Sequence, residues 1–78
     1  MEYVLSRFTL NSIFWKYFKD DSLVSSGVLD LNSYHGGEVN LSGDLYFDSN
    51  KGFYRKDGDT DVFLLVRVNY LSIVFERS

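Results

Sequence analysis

Asp57-Gly58-Asp59-Thr60-Asp61 sets three carboxylates at alternate positions, as in the first half of a calcium loop, where closely spaced oxygens wrap a hard cation. Such a loop also needs Gly at its sixth position and Glu at its twelfth. Val62 and Val68 stand there, so the segment reads as a solvated acidic turn. His35 is the single imidazole and Cys is absent, which leaves no ligand set for an ordinary zinc site. His35 with Glu38 to orient it has the composition of a general base, but a lone His beside Gly36-Gly37 reads as a loop residue. No Ser sits in a strained strand-to-helix elbow with triad partners. The Gly36-Gly37 pair lacks the spacing of a phosphate cradle. The expectation is a protein that is not an enzyme and uses no cofactor and no metal.

Two other constellations suit binding. Lys51-Gly52-Phe53-Tyr54-Arg55-Lys56 interleaves three bases with two aromatics, a pattern that can stack and hold single-stranded nucleic acid. Asp48, Asp57, Asp59 and Asp61 flank it and repel phosphate, and the net charge of −3 has the wrong sign for general nucleic-acid affinity. Tyr46 lies between Asp44 and Asp48, with Tyr54 and the Asp57–Asp61 turn expected across a hairpin. A tyrosine anchor ringed by carboxylates would complement a basic patch on a protein partner. The competing reading pairs Tyr46 cross-strand with Tyr54 on a solvated sheet face.

Strand formers must position these groups. Fourteen residues are aromatic and twenty more are Val, Leu or Ile, while Ala, Pro, Cys and Gln are absent. The composition predicts an all-β or β-rich α+β domain: a small antiparallel meander or barrel-like sheet of five to seven strands, with at most one short helix near residues 11–21. Val39 to Asp48 alternates strictly, with Val39, Leu41, Leu45 and Phe47 on the inner face, and reads as one half-buried strand. Gly43 on that face marks a bulge or a ring packed over the backbone. Ser33 to Gly37 connects it to a preceding strand over Ser25 to Asn32. Asp48 to Gly52 reverses the chain into a strand from Phe53 to Lys56, and Asp57-Gly58 makes another turn. Asn11 to Asp21 suits either a short helix behind Ser12 or a strand with Ile13, Trp15 and Tyr17 on one side; ring content favours the strand.

From Asp61 to Arg77 the chain is apolar on both faces. As one straight strand it would span about 55 Å at about 3.3 Å per residue, too long for one small domain. It must therefore bend, with Arg67-Val68-Asn69 the expected place. Something must also cover the second face, which makes Phe63, Leu65, Leu71 and Ile73 candidates for self-association.

The chain is read as a single domain over residues 1–78. It buries only about 60–65% of the surface its unfolded form exposes, so some large rings should remain at the surface and mark contacts. Met1 to Arg7 does not read as a secretory leader, and the Val62–Val66 run is far short of a membrane span. The expected location is the cytoplasm of a bacterium or phage-infected cell, which the Ala- and Pro-free composition suits. In size and charge the chain is similar to immunity proteins that neutralise nuclease toxins and to phage proteins that block host defence complexes, a likeness of class without a shared motif. The function expected is a non-enzymatic, acidic protein-binding inhibitor of a nuclease or nucleoprotein complex. A homo-oligomeric accessory protein is the alternative, and a single-stranded nucleic-acid binder the third reading.

Overall fold

A computed structural model describes residues 1–68, which form eight β-strands and no helix. In chain order they are β1 (Glu2–Phe8), β2 (Ser12–Lys19), β3 (Ser22–Asp30), β4 (Glu38–Ser42), β5 (Leu45–Asp48), β6 (Gly52–Asp57), β7 (Thr60–Phe63) and β8 (Leu65–Val68). They make two four-stranded sheets rather than one, in the orders β3-β2-β1-β8 (sheet one) and β4-β5-β6-β7 (sheet two), without closing into a barrel. The count exceeds the five to seven expected. All pairs are antiparallel except β1 with β8, which run parallel with Tyr3 beside Leu65 and Ser6 beside Val68.

The alternation along each strand decides which side chains share the core. Val4, Ile13, Trp15 and Tyr17 from sheet one meet Leu45, Phe47 and Phe53 from sheet two. Leu29, Leu31, Tyr34, Val39, Leu41 and Leu64 pack around this cluster. Asn11 to Asp21 thus holds a strand, with Ile13, Trp15 and Tyr17 inward. It is followed by a two-residue turn at Asp20-Asp21, both with positive φ (49° and 65°), as the twist of a tight hairpin requires. The strand expected over Ser25 to Asn32 begins earlier, at Ser22, and ends at Asp30.

Two expected strands are divided. Val39 to Asp48 breaks into β4 and β5 at Gly43-Asp44, where Gly43 takes φ 55° and reverses the chain. The inward set is nonetheless as expected. A two-residue turn alone would put Ser42 opposite Leu45 and leave Asn40 facing the core. The register irregularity between Asn40 and Ser42 adds one residue and returns Val39 to the inner face opposite Phe47. The long apolar stretch bends at Leu64, and Arg67 and Val68, the expected place of the bend, lie within β8; Asn69 lies outside the described residues. Leu64 donates its N–H to the Phe53 carbonyl (3.1 Å) and packs on the core, so the chain leaves sheet two after Phe63 and enters sheet one at Leu65. Leu71 and Ile73 lie outside the described residues.

Gly27 faces inward opposite Trp15, and the indole lies against it. A Cβ at position 27 would stand 2.7 Å from Trp15 Cζ2 and 3.1 Å from Cε2. Trp15 is buried on the opposite side by the core and has little room to retreat. Gly27→Ala is therefore expected to destabilise the fold by about 1–3 kcal/mol through overpacking, read as a lower denaturation midpoint with an unchanged m-value.

Candidate functional site

The outer face of sheet two carries the residues that the sequence singles out, and the register sets them in rows. Tyr46 stands opposite Tyr54, and Tyr54 opposite Phe63. The Tyr46 and Tyr54 rings stack with centroids 5.9 Å apart and planes 20° from parallel; Phe63 lies 6.0 Å from Tyr54 on the other side. Lys56 Nζ sits 4.5 Å above Tyr46, and Lys51 Nζ lies 5.3 Å from the Tyr54 ring. Tyr54 is fully buried under this cover and cannot meet a partner directly. The cross-strand pairing of Tyr46 with Tyr54 is thus realised, and Tyr46 is only partly exposed.

The bases of Lys51 to Lys56 are all engaged. Lys51 Nζ bonds Asp61 Oδ2 at 3.2 Å, and Lys56 Nζ bonds Glu38 Oε1 at 2.7 Å. Arg55 points inward, its Nε bonding both Glu2 oxygens at 3.1 and 3.3 Å. None of the three is left for phosphate. The Tyr54 hydroxyl donates to Glu38, so Glu38 does not orient His35, which is exposed in the loop before β4. That loop is held by Tyr34, whose hydroxyl donates to the Gly37 carbonyl (2.7 Å) and accepts the Ser49 N–H (2.9 Å).

The expected ring of carboxylates around Tyr46 is split. Asp48 caps the following turn by accepting the N–H groups of Asn50 and Lys51 at 2.7 and 3.2 Å, and Asp61 is paired with Lys51. Asp44, Asp57 and Asp59 gather at one end of sheet two, because the Lys56 N–H bonds the Asp44 carbonyl (3.2 Å) and brings the β4–β5 turn beside the β6–β7 turn. Among the described residues no side chain supplies these three with a cation, and no group of His, Asp and Glu is arranged to hold a metal ion.

A second aromatic surface lies on the other sheet. On the outer face of sheet one, Tyr3 stacks on Phe18 (5.0 Å, 12°), with the Arg67 guanidinium 4.8 Å from Tyr3 and that of Arg7 4.1 Å from Phe14. Lys16 stands between the two aromatic rows. A shallow depression of about 390 Å³ opens there, lined by Leu5, Arg7, Phe14, Lys16, Ser26 and Val28. The strand segments 3–7, 14–18, 23–28 and 65–68 that build this face contain no carboxylate. The signal was present in the period-2 alternation of Tyr3, Leu5, Arg7 and of Phe14, Lys16, Phe18, but only the strand order brings these runs together. The Phe63 and Leu65 side chains are 61% and 49% exposed, on the outer faces of sheets two and one respectively.

The chain matches no protein-family model, no curated protein and no solved structure.

Two buried tyrosines dominate the electrostatics. Tyr17 donates to Glu2 (2.8 Å) and Tyr54 to Glu38. Burial first, and then the bond to the carboxylate, pushes each phenol well above its ordinary 10.0. Burial pulls Glu2 upward, but the Tyr17 hydroxyl and the Arg55 charge outweigh it and leave Glu2 below its ordinary 4.5. Hydrogen bonds from Lys56 and then Tyr54 lower Glu38 in the same way. A carboxylate depressed in the folded state contributes stability that is present above 4.5 and is lost as pH falls below it. A phenol raised in the folded state contributes stability that is present below 10 and is lost as pH rises above it. Denaturation midpoints are expected to fall on both sides of a neutral plateau. Glu2→Gln should flatten the acid limb and Tyr17→Phe the alkaline limb.

Proposed function

We propose that the protein is a non-catalytic binding module that occupies a basic protein surface, of the kind that a nuclease or nucleoprotein complex offers to its substrate. The observation that carries this reading is the gathering of Asp44, Asp57 and Asp59 at one end of sheet two without a cation from any described side chain. Glu2, Asp20, Glu38 and Asp61 each have an ion-pair partner, and Asp30 and Asp48 hold turns. Among the described residues these three carboxylates have no ion-pair or side-chain hydrogen-bond partner, whereas a basic partner would pair with them and be steered toward them. The stacked Tyr46–Tyr54 pair beside them gives that end a rigid aromatic shoulder. The contact centre therefore moves from Tyr46, with its ring already covered, to the turns at its side.

One observation favours a second reading. The outer face of sheet one combines Lys16 and Arg67 with rings and a depression, and the segments 3–7, 14–18, 23–28 and 65–68 that build it contain no carboxylate, which suits a single nucleic-acid strand. Affinity capture with the immobilised chain, followed by interferometry with the captured protein, separates the two. Asp44→Asn, Asp57→Asn and Asp59→Asn together should slow association with a basic partner on the order of 10-fold or more and flatten its salt dependence. The variant should keep the wild-type circular-dichroism spectrum. If instead a single-stranded oligonucleotide binds, and Lys16→Glu with Arg67→Glu abolishes that binding while the Asn variant does not, the second reading holds. Unchanged kinetics for a captured partner in the Asn variant would remove the first.

A further inference from the structure

The edge of a β-sheet is a row of unpaired N–H and C=O groups ready to accept another strand, and proteins guard it with short strands, charges or proline. Four strands lie at edges here. β4 has five residues and carries Glu38; β7 has four and carries Asp61; the described part of β8 carries Arg67. β3 has nine residues and, from Ser22 to Leu29, no charge and no proline; its one guard is the irregularity near its start. Among the described residues its one hydrogen-bonded neighbour is β2. Leu23, Val24 and Val28 are 54, 51 and 56% exposed, three apolar side chains within six positions. The irregularity opposite Tyr17 and Phe18 twists the first turn-proximal residues, but Ser25 to Asp30 stays in regular register with β2.

We infer that β3 is the interface of a two-fold homodimer, in which it pairs antiparallel with β3 of a second copy and joins the two copies of sheet one edge to edge. A second copy fits this edge better than an unrelated strand because β3 is complementary to itself. Antiparallel pairing centred on Ser26 brings Leu23 and Val24, at the irregularity, near Val28 of the other copy, with no like charges facing. Neither this register nor one centred on Gly27 sets like charges opposite one another. A single symmetry axis closes the contact, so it yields dimers and no fibre. None of Asp44, Asp57 and Asp59 takes part, so the dimer stands or falls independently of the partner surface proposed above.

Sedimentation equilibrium over a concentration series tests it. The wild-type mass should rise toward twice the 9.1 kDa of one chain. Val28→Lys should hold the mass at one chain, with an unchanged circular-dichroism spectrum because this side chain is exposed; Val24→Lys, at an independent position, should do the same. Leu65→Arg should leave the dimer intact. Hydrogen exchange should show the β3 amides that point away from β2 slowing as the wild type dimerises. A wild type that stays at one chain mass throughout the series overturns the inference. So does a dimer that survives both lysine substitutions, or one that Leu65→Arg dissolves, since the contact would then lie at Leu65.

Discussion

The shared core holds seven buried apolar side chains, four of them aromatic, and the chain has fourteen aromatic residues to place. Among the described residues the outer faces take Tyr3, Phe14, Phe18, Tyr46, Tyr54 and Phe63, and hold most of them in ladders. Arg67, Tyr3 and Phe18 form one across sheet one, and Arg7 covers Phe14 beside it. Tyr46, Tyr54 and Phe63 form another across sheet two, with Lys56 and Lys51 over the rings. Burying a large apolar side chain contributes about 1.5–3 kcal/mol, whereas an exposed ring pair or cation–ring contact contributes about 0.5–1.5 kcal/mol. The core therefore fixes the fold, and the ladders mainly fix where the surface rings sit. Tyr17 and Tyr54 are the two places where a buried ring also brings a hydroxyl, and each donates to a Glu that has its own cation, Arg55 for Glu2 and Lys56 for Glu38. The first of these links ties β1 to β6 and so joins the sheets by a polar contact as well as an apolar one.

Side-chain direction was legible in the sequence; chain reversal was less so. Val39, Leu41, Leu45 and Phe47 all pack at the core, because alternation survives a reversal when the hairpin carries one extra residue on one strand. That same property hid the turn at Gly43-Asp44. The Asp20-Asp21 turn lacked the glycine that usually marks a tight hairpin, yet both residues adopt positive φ. The need for a bend after Asp61 followed from length alone. Its place at Leu64 did not, since it depends on a sheet-to-sheet crossing, and the parallel pairing of β8 with β1 joins strands about sixty residues apart in the chain.

The candidate site was legible to the extent that neighbouring strands define it. The Tyr46–Tyr54 pair follows from one hairpin. Lys56 with Glu38 joins β6 to β4 across the intervening β5, and Lys51 with Asp61 spans the sheet in the other direction, so these partners appear only once the strand order is known. Read along the chain, Lys51 to Lys56 looks like a cationic stretch and Asp44 to Asp61 like an acidic one. In the fold they largely neutralise each other and leave a smaller acidic residue of three side chains.

Net charge is consequently a poor guide to what this molecule can attract. Packed sheets stand about 10 Å apart, close to one screening length at physiological salt, so a ligand at one outer surface feels little of the charges behind the other. The −3 of the whole chain is unevenly placed, with an acidic end on sheet two and a face on sheet one where segments 3–7, 14–18, 23–28 and 65–68 carry Arg7, Lys16 and Arg67 without a carboxylate. Pairing two copies through β3 would set two such cationic faces side by side on a single extended sheet while leaving each acidic end unaltered. The result would be a molecule with opposite electrostatic character at separate places, and the choice between a basic protein and a polyanion as its partner would rest with the local surface engaged.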